Sequence, residues 1–201
     1  MAYSRGYQNY TSIWVIIIAN LMFFIASLVL PQVYNLALLP ATVLREPWTI
    51  VTSVFLHANF GHIFANMLTF FFFGTFLIQL VGERNFLYVY FIGGILGSIF
   101  YIILTFLGAA LSLGSLGSPL VPVVGASGAV YALGGALTVL VPRLRVFVFL
   151  IPIPLPLWVV VIIGFLLVAP GVAWQAHLGG LLFGLLTGLY FRRRKRDYTV
   201  Y

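Results

Sequence analysis

The chain has 201 residues, of which 63% are hydrophobic and only 6% are charged. Soluble domains carry about 25% charged residues, so this composition excludes a water-soluble enzyme and a soluble nucleic-acid-binding protein. The formal net charge is +7, but five of the ten basic residues form one run at 192–196, directly after an apolar segment, where basic residues orient a membrane protein and do not indicate a nucleic-acid partner.

Six apolar segments predict an all-α bundle of six transmembrane helices, since a helix that spans a bilayer needs about 20 apolar residues. We expect residues 1–11 to form a cytoplasmic N-terminus, residues 12–191 the six-helix domain and residues 192–201 a basic cytoplasmic tail. The spans are expected at about 12–30, 61–80, 85–107 and 125–141, at a fifth segment that ends near 168, and at 172–191.

The basic residues predict how these spans are oriented, because cytoplasmic loops carry the excess of Lys and Arg. With the N-terminus inside, only Arg45 lies on the outer side of the membrane. The other basic residues lie inside, at positions 5, 84, 143 and 145 and in the 192–196 run. We therefore expect a multi-pass protein of the cell membrane with both termini in the cytoplasm.

The fourth span is too short to cross the bilayer. From Gly125 to Val141 it has 17 residues, which gives roughly 25 Å of helix against a hydrocarbon core of about 30 Å. The segment before it must dip into the bilayer, where irregular backbone is tolerated only inside protein or beside water. This predicts a water-filled pit that opens to the extracytoplasmic face, with Ser127 at its floor.

Polar side chains from four segments fall at the depth of this predicted pit. His62 and Asn66 are four residues apart at the start of the second span, so they share one helix face. His57 precedes them, Ser127 begins the fourth span and His177 lies a few residues into the sixth. Each residue alone is explained equally well as a hydrogen-bonding partner of a neighbouring helix, so the interpretation depends on their convergence.

Glycines in the sixth span predict how two of these segments meet. Gly180, Gly184 and Gly188 recur every four residues, a spacing that lets another helix approach closely. His177 lies on the same face. The best partner is the Gly- and Ala-rich fourth span, which contains Gly128, so the packing brings His177 toward the start of that span.

A serine and a histidine in contact are the elements of nucleophilic catalysis, since a serine hydroxyl needs an adjacent base to take its proton. His177 is the candidate base for Ser127. An acidic residue usually orients the imidazole, but the only acids are Glu46, Glu83 and Asp197, and two of them belong to the cytoplasmic side. We therefore expect a dyad rather than a triad.

Two further groups complete this hypothesis. Tyr131 lies one helical turn from Ser127 on the same face, where it can stack on the imidazole and hold it in place. The tetrahedral oxyanion needs preorganised donors, and His62, Asn66 and the backbone N–H of Ser127 are the candidates. The reaction needs no cofactor and no metal.

Other chemistries fit less well. An intramembrane metalloprotease needs a His-Glu-x-x-His pair, and no Glu adjoins a His here; an aspartyl protease needs two Asp residues, and Asp197 is the only one. The absence of Cys excludes thiolate sites and Cys nucleophiles. A metal site built from three histidines stays open by ligand count, as does a transporter whose polar residues line a pore.

Three motifs, taken together, resemble the rhomboid family of intramembrane serine proteases. The resemblance covers the six spans in order. The motifs are His57-(four)-His62-(three)-Asn66, Gly125-Ala126-Ser127-Gly128 with Tyr131, and Ala176-His177-(two)-Gly180-(three)-Gly184.

The resemblance implies a role for each matched position. Ser127 is similar to the family's nucleophile and His177 to its general base, while His62 and Asn66 are similar to its oxyanion stabilisers. His57 would support the first loop and the hydrogen bonding of the site. The supporting positions are His57, Gly125, Gly128, Tyr131, Gly180 and Gly184.

The resemblance also implies a substrate class and a membrane-embedded first loop. The family cleaves single-pass transmembrane proteins near the membrane surface. In the first loop the family often has Trp-Arg, whereas here Trp48 is followed by Thr49. The alternative within the same fold is a catalytically silent rhomboid-like protein that binds transmembrane helices.

Overall fold

The structure is a computed structural model that describes residues 9–148, 151–168 and 173–197. Within those residues, short 3₁₀ helices lie in the two long loops, at Pro31–Leu36, Pro40–Thr42, Ser53–Phe55 and Gly114–Leu116. The same residues contain seven α-helices and one β-hairpin: α1 (Thr11–Val29), α2 (Thr49–Thr52), α3 (Phe60–Val81), α4 (Glu83–Ala110), α5 (Ser127–Leu140), β1 (Arg145–Val148), β2 (Ile151–Pro156), α6 (Leu157–Val168) and α7 (Trp174–Asp197).

The helices confirm the predicted all-α membrane bundle. α1, α3 and α4 have 19, 22 and 28 residues and are long and apolar enough to cross a membrane. α5 and α6 are shorter apolar helices of 14 and 12 residues. α7 has 24 residues and carries the basic run at its C-terminal end.

Two features differ from the sequence-based expectation. α7 continues to Asp197, past the expected end of the sixth span at Phe191, so the basic run at 192–196 belongs to the helix. An antiparallel hairpin of β1 and β2 connects α5 to α6, where the sequence suggests only an apolar, proline-containing connection. The turn that Pro170 and Gly171 predict, and the parts of the predicted tails at 1–8 and 198–201, lie outside the described residues.

The loop between α1 and α3 is fastened to the rest of the bundle by backbone pairing. Leu38 and Val123 form an isolated β-bridge, in which each N–H donates to the other's carbonyl at 3.1 and 2.8 Å. The Ser98 hydroxyl of α4 donates to the carbonyl of Ile50 at 3.0 Å. The first loop is therefore tied both to α4 and to the segment that leads into α5.

Glycines bring α7 against α5 at backbone distance, as the spacing predicts. Three glycines of α7 each lie opposite the residue of α5 that precedes them by 52 positions, so the two helices run parallel. In three successive turns an added Cβ would overlap or crowd the carbonyl group opposite, in the pairs Gly180–Gly128, Gly184–Ala132 and Gly188–Ala136.

α4 covers the other side of this contact. An added Cβ at Gly97 would lie 2.8 Å from the Ala176 carbonyl oxygen, and one at Gly93 would overlap the Ala132 side chain. α4, α5 and α7 therefore pack as closely as small residues allow. Between α3 and α4 the packing is instead aromatic, through Phe70, Phe86 and Tyr90.

We expect Gly184→Ala to destabilise the protein by about 1–3 kcal/mol, the usual cost of overpacking a tight contact, because the new methyl group meets the Ala132 carbonyl. Unfolding in mixed detergent micelles, followed by circular dichroism, measures the difference. Gly164→Ala is the matched control, since an added Cβ there lies 3.7 Å from the nearest atom, the Tyr131 hydroxyl. Equal stability of the two variants would contradict the importance of the close contact.

Candidate active site

A cavity of about 960 Å³ lies between α3, α5, α6, α7 and the loop from α4 to α5. Four of the five polar residues that the sequence puts at one depth line this cavity: His62, Asn66, Ser127 and His177. The exception is His57. The polar groups therefore share one space, whose remaining wall is largely apolar and includes Phe73 and Val161.

Ser127 is the first residue of α5, and the backbone turns sharply before it. Gly125 has a φ of +130°, a conformation that L side chains rarely adopt, and its N–H donates to the Ser53 carbonyl at 2.9 Å. An added Cβ at Gly125 would lie 2.9 Å from His62 Nε2 and 3.6 Å from Ser127 Oγ. Glycine therefore permits the turn and also lets the His62 ring approach the serine.

The hydroxyl of Ser127 and the imidazole of His177 are in direct contact. Ser127 Oγ lies 2.7 Å from His177 Nε2, and the hydroxyl donates to that nitrogen when it is unprotonated. His177 is in the first turn of α7 and is only 3% exposed. The distance is within the range needed for proton transfer between a nucleophile and a general base.

Tyr131 lies against the imidazole of His177. The two ring centroids are 4.6 Å apart with an interplanar angle of 32°, and Phe165 packs edge-on against Tyr131 from the other side. Nδ1 of His177 is buried without a hydrogen-bond partner in the part of the chain that the structure describes. Ring packing, and not a carboxylate, therefore restrains the imidazole at this position.

The side chains of His62 and Asn66 present donors to the cavity. His62 Nδ1 accepts a long hydrogen bond from the N–H of Ala58, at 3.4 Å, so Nε2, beside Gly125, carries the proton in this arrangement. Asn66 Nδ2 donates to the His62 carbonyl at 2.9 Å. A side-chain amide has two donor hydrogens, so Asn66 keeps one for the cavity.

His57 lies in the loop just before α3, away from the cavity wall. Its side chain is fully buried, and neither ring nitrogen has a hydrogen-bond partner among the described residues. Its ring meets that of His62 edge-on, with centroids 5.0 Å apart. Burial and then the nearby His62 lower the pKa of His57 to about 3, against a smaller opposing effect of the Phe55 backbone, which does not reach hydrogen-bond geometry.

This environment describes the surroundings of His57 within the first loop. The resemblance implies hydrogen bonding within the site, whereas the ring is neutral at pH 7 and packs on His62. Its backbone does take part in the loop, since the Tyr34 hydroxyl donates to the His57 carbonyl at 3.4 Å. The structure therefore places the His57 ring against His62 and its carbonyl within the first loop.

Gln175 is a cavity residue that the sequence pattern does not reveal. Its side chain is 3% exposed, and its Nε2 donates to the Leu116 carbonyl at 2.9 Å. The bond ties the start of α7 to the loop that precedes Ser127. The available signal is an amide two residues before His177 in an otherwise apolar helix start, but the sequence cannot say which carbonyl it meets.

These features define a polytopic helical membrane protein with a serine–histidine pair inside its bundle. Within the described residues, no group of three His, Cys, Asp or Glu side chains lies close enough together to hold a metal ion. The family model described as Rhomboid domain matches residues 44–194, which is about three quarters of the chain. The protein therefore belongs to the rhomboid family.

Curated relatives agree with this assignment. The chain is 32% identical over 152 residues to "Rhomboid protein 1, mitochondrial" of Saccharomyces cerevisiae, covering 72% of this chain and 42% of that protein. It is 29% identical over 140 residues to "Rhomboid protease GluP" of Bacillus subtilis, covering 69% and 25% of the two chains. The chain thus spans less than half the length of either relative.

The similarity also extends to a relative that is described as inactive. "Inactive RHOMBOID-like protein 8" of Arabidopsis thaliana is 36% identical over 59 residues, which cover 29% of this chain and 17% of that protein. Family membership therefore does not by itself establish proteolytic activity.

We expect Gln175→Leu to destabilise the protein by about 1–3 kcal/mol, because the partly buried Leu116 carbonyl loses its hydrogen-bond donor. The amides of residues 111–124 should also exchange hydrogen faster, since this loop loses its connection to α7. Hydrogen–deuterium exchange with mass spectrometry measures both effects. Gln79→Leu is the matched control, because Gln79 is exposed and bonds only the Tyr10 hydroxyl at 3.3 Å. Unchanged exchange in the Gln175 variant would show that the bond does not hold the loop.

Proposed function

We propose that the protein is an intramembrane serine endopeptidase that cleaves single-pass transmembrane proteins. The observation that carries this proposal is the contact of 2.7 Å between Ser127 Oγ and His177 Nε2, in a cavity inside a membrane bundle. The fold and family supply the membrane setting, and the contact supplies the chemistry.

The reaction follows from the roles of the two side chains. As the Ser127 oxygen attacks the substrate carbonyl carbon, His177 Nε2 takes the hydroxyl proton, and the carbonyl becomes a tetrahedral oxyanion. His177 then gives this proton to the leaving amine, and the acyl-enzyme forms. Water, with His177 again as the base, hydrolyses the ester and restores Ser127.

Three donors are positioned to stabilise the oxyanion. Ser127 begins α5, where the first backbone N–H groups have no partner within the helix and attract negative charge. His62 Nε2 and the second amide hydrogen of Asn66 point to the same cavity. Donors fixed before the reaction need no reorganisation as the negative charge develops.

The surroundings of the site support a transmembrane substrate. The cavity is enclosed by membrane helices, so a protein that already lies in the bilayer has the shortest path to it. A substrate helix hides its carbonyl groups in internal hydrogen bonds, and it must unwind locally before Ser127 can reach one. The relative named a rhomboid protease supports the same activity.

The distribution of basic residues supports an extracytoplasmic active site in the cell membrane. Arg84, Arg143 and Arg145 lie at the helix ends opposite Ser127, and Arg45 lies in the loop on the Ser127 side. Under the positive-inside rule the cavity then faces away from the cytoplasm. We retain residues 12–191 as the protease domain between two cytoplasmic tails.

The first test is cleavage of a model single-pass substrate in liposomes. We expect Ser127→Ala and His177→Ala each to reduce the rate to below about a thousandth of the parent value, because nucleophile and base act as a unit. A fluorophosphonate probe should label the parent protein at Ser127 and fail to label the His177 variant. The products are followed by gel electrophoresis and mass spectrometry.

Ser27→Ala is the matched control for the first test, since the Ser27 hydroxyl is buried in α1 and bonds only the Phe24 carbonyl. It should cleave and label like the parent protein. If the parent protein neither cleaves nor labels, the protein belongs with the silent members of the family. Equal labelling of the His177 variant and the parent would contradict the dyad.

The second test concerns Tyr131. We expect Tyr131→Ala to lower the rate of fluorophosphonate labelling by about two- to tenfold, because a ring pair is worth about 0.5–1.5 kcal/mol in holding the imidazole. Tyr131→Phe keeps the ring and should label at nearly the parent rate. Near-ultraviolet circular dichroism checks that both variants are folded. Similar rates for the two variants would show that the ring does not position His177.

A further inference from the structure

The hairpin between α5 and α6 lies at the end of the bundle opposite the candidate active site. β1 pairs with β2 through Arg145 opposite Pro156 and Val146 opposite Leu155. The N–H of Leu157 donates to the Leu144 carbonyl at 2.9 Å, so the hairpin continues directly into α6.

The register of α5 against α7 gives the depth of the hairpin. The three glycine contacts between these parallel helices join residues that are 52 positions apart. The same separation puts Leu140, the last residue of α5, beside Arg192. Arg192 begins the basic run, and such runs mark the boundary between membrane and water. The hairpin, which follows α5 after four residues, is therefore at the level of the lipid headgroups.

The hairpin presents large apolar side chains at this level. Phe147 is 75% exposed and Ile153 is 64% exposed, whereas Val146 packs against the protein core. Exposed aromatic and aliphatic side chains at the membrane boundary are stabilised by the acyl chains next to the headgroups.

The free edge of β2 is poor in hydrogen-bond donors. The amide of Leu157 faces β1, and alternation along the strand turns the nitrogen positions of Pro154 and Pro156 away from β1. Proline has no N–H, so this edge carries acceptors without donors. It cannot pair with another strand in the usual ladder, and it leaves fewer polar groups that need water.

Positive charge surrounds these apolar side chains. Arg143 and Arg145 are exposed and make no ion pair with any described residue. Arg192 and Arg193 are exposed at the same level on α7. Cationic side chains beside a membrane attract anionic headgroups.

We propose that the hairpin, through its described residues 143–148 and 151–156, is an interfacial anchor that binds anionic phospholipids in the leaflet opposite the active-site cavity. Phe147 and Ile153 insert among the acyl chains, and Arg143 and Arg145 contact the phosphates. The anchor holds the N-terminal end of α6, which directly follows β2. This role is independent of the proposed proteolysis, so it can be tested in the inactive Ser127→Ala protein.

The chain contains no Cys, so a single nitroxide label can be attached at Phe147→Cys or Ile153→Cys in the Ser127→Ala background. The protein is placed in vesicles of equal parts phosphatidylcholine and phosphatidylglycerol. Electron paramagnetic resonance compares label collisions with oxygen, which concentrates in lipid, and with a water-soluble nickel complex. Met22→Cys is the lipid reference, because Met22 lies in α1 and is 65% exposed. Asn9→Cys, before α1, is the aqueous reference.

We expect the labels at 147 and 153 to resemble the reference at Met22 more than the one at Asn9. Labels that collide with the nickel complex as freely as at Asn9 would overturn the proposal, because the hairpin would then extend into water. Labels shielded from both reagents would also overturn it, because another protein surface, such as a second copy of the chain, would then cover the hairpin.

The charge contribution is tested with the double variant Arg143→Gln and Arg145→Gln. In the mixed vesicles we expect roughly a twofold rise in nickel collisions at position 147, since two cations no longer attract the surface. In vesicles of phosphatidylcholine alone the variant should behave like its parent. Arg84→Gln, an exposed arginine outside the hairpin on the same membrane side, is the control. An unchanged profile in the mixed vesicles would overturn the binding of anionic lipid.

Discussion

The close approach of α5 and α7 is the constraint on which the candidate site depends. Ser127 and His177 are 50 residues apart in the chain and come from different helices, yet their side chains meet at 2.7 Å. Side chains as short as these meet only if the two backbones are nearly in contact, and Gly128 and Gly180 provide that contact one residue and three residues beyond the pair. Lipid tails are as apolar as the helix surfaces, so the hydrophobic effect does not drive helices together in a membrane. Helix packing relies instead on close contact between small residues.

The low charge content of the chain shapes the site as well as the fold. With three acids in the whole sequence, no carboxylate is available to orient His177, and Nδ1 is left without a partner in the described residues. Tyr131 packs on the ring instead, and the proposed restraint by ring contact requires no charge inside the membrane.

Much of this arrangement follows from the sequence, because membrane helices have strong local signals. Apolar length predicts the spans to within a few residues, and the glycine spacing predicts the contact that joins α5 to α7. The bond of Gln175 to Leu116 and the edge-on packing of His57 on His62 depend on how loops fold in three dimensions, so spacing along the chain carries no signal for them. The hairpin escapes prediction because its apolar run resembles the start of a span and its prolines suggest irregular structure.

The excess of basic over acidic residues links the two ends of the molecule. Ten cations cannot be paired by three acids, so most of their charge has to be neutralised by water, ions or lipid phosphate. Among the described residues, the cations other than Arg45 lie at the end of the bundle away from Ser127, so the cavity end carries little fixed charge. A neutral histidine is the form that can take a proton from serine. The proposed orientation in the bilayer and the low charge around the candidate dyad thus depend on the same distribution of basic residues.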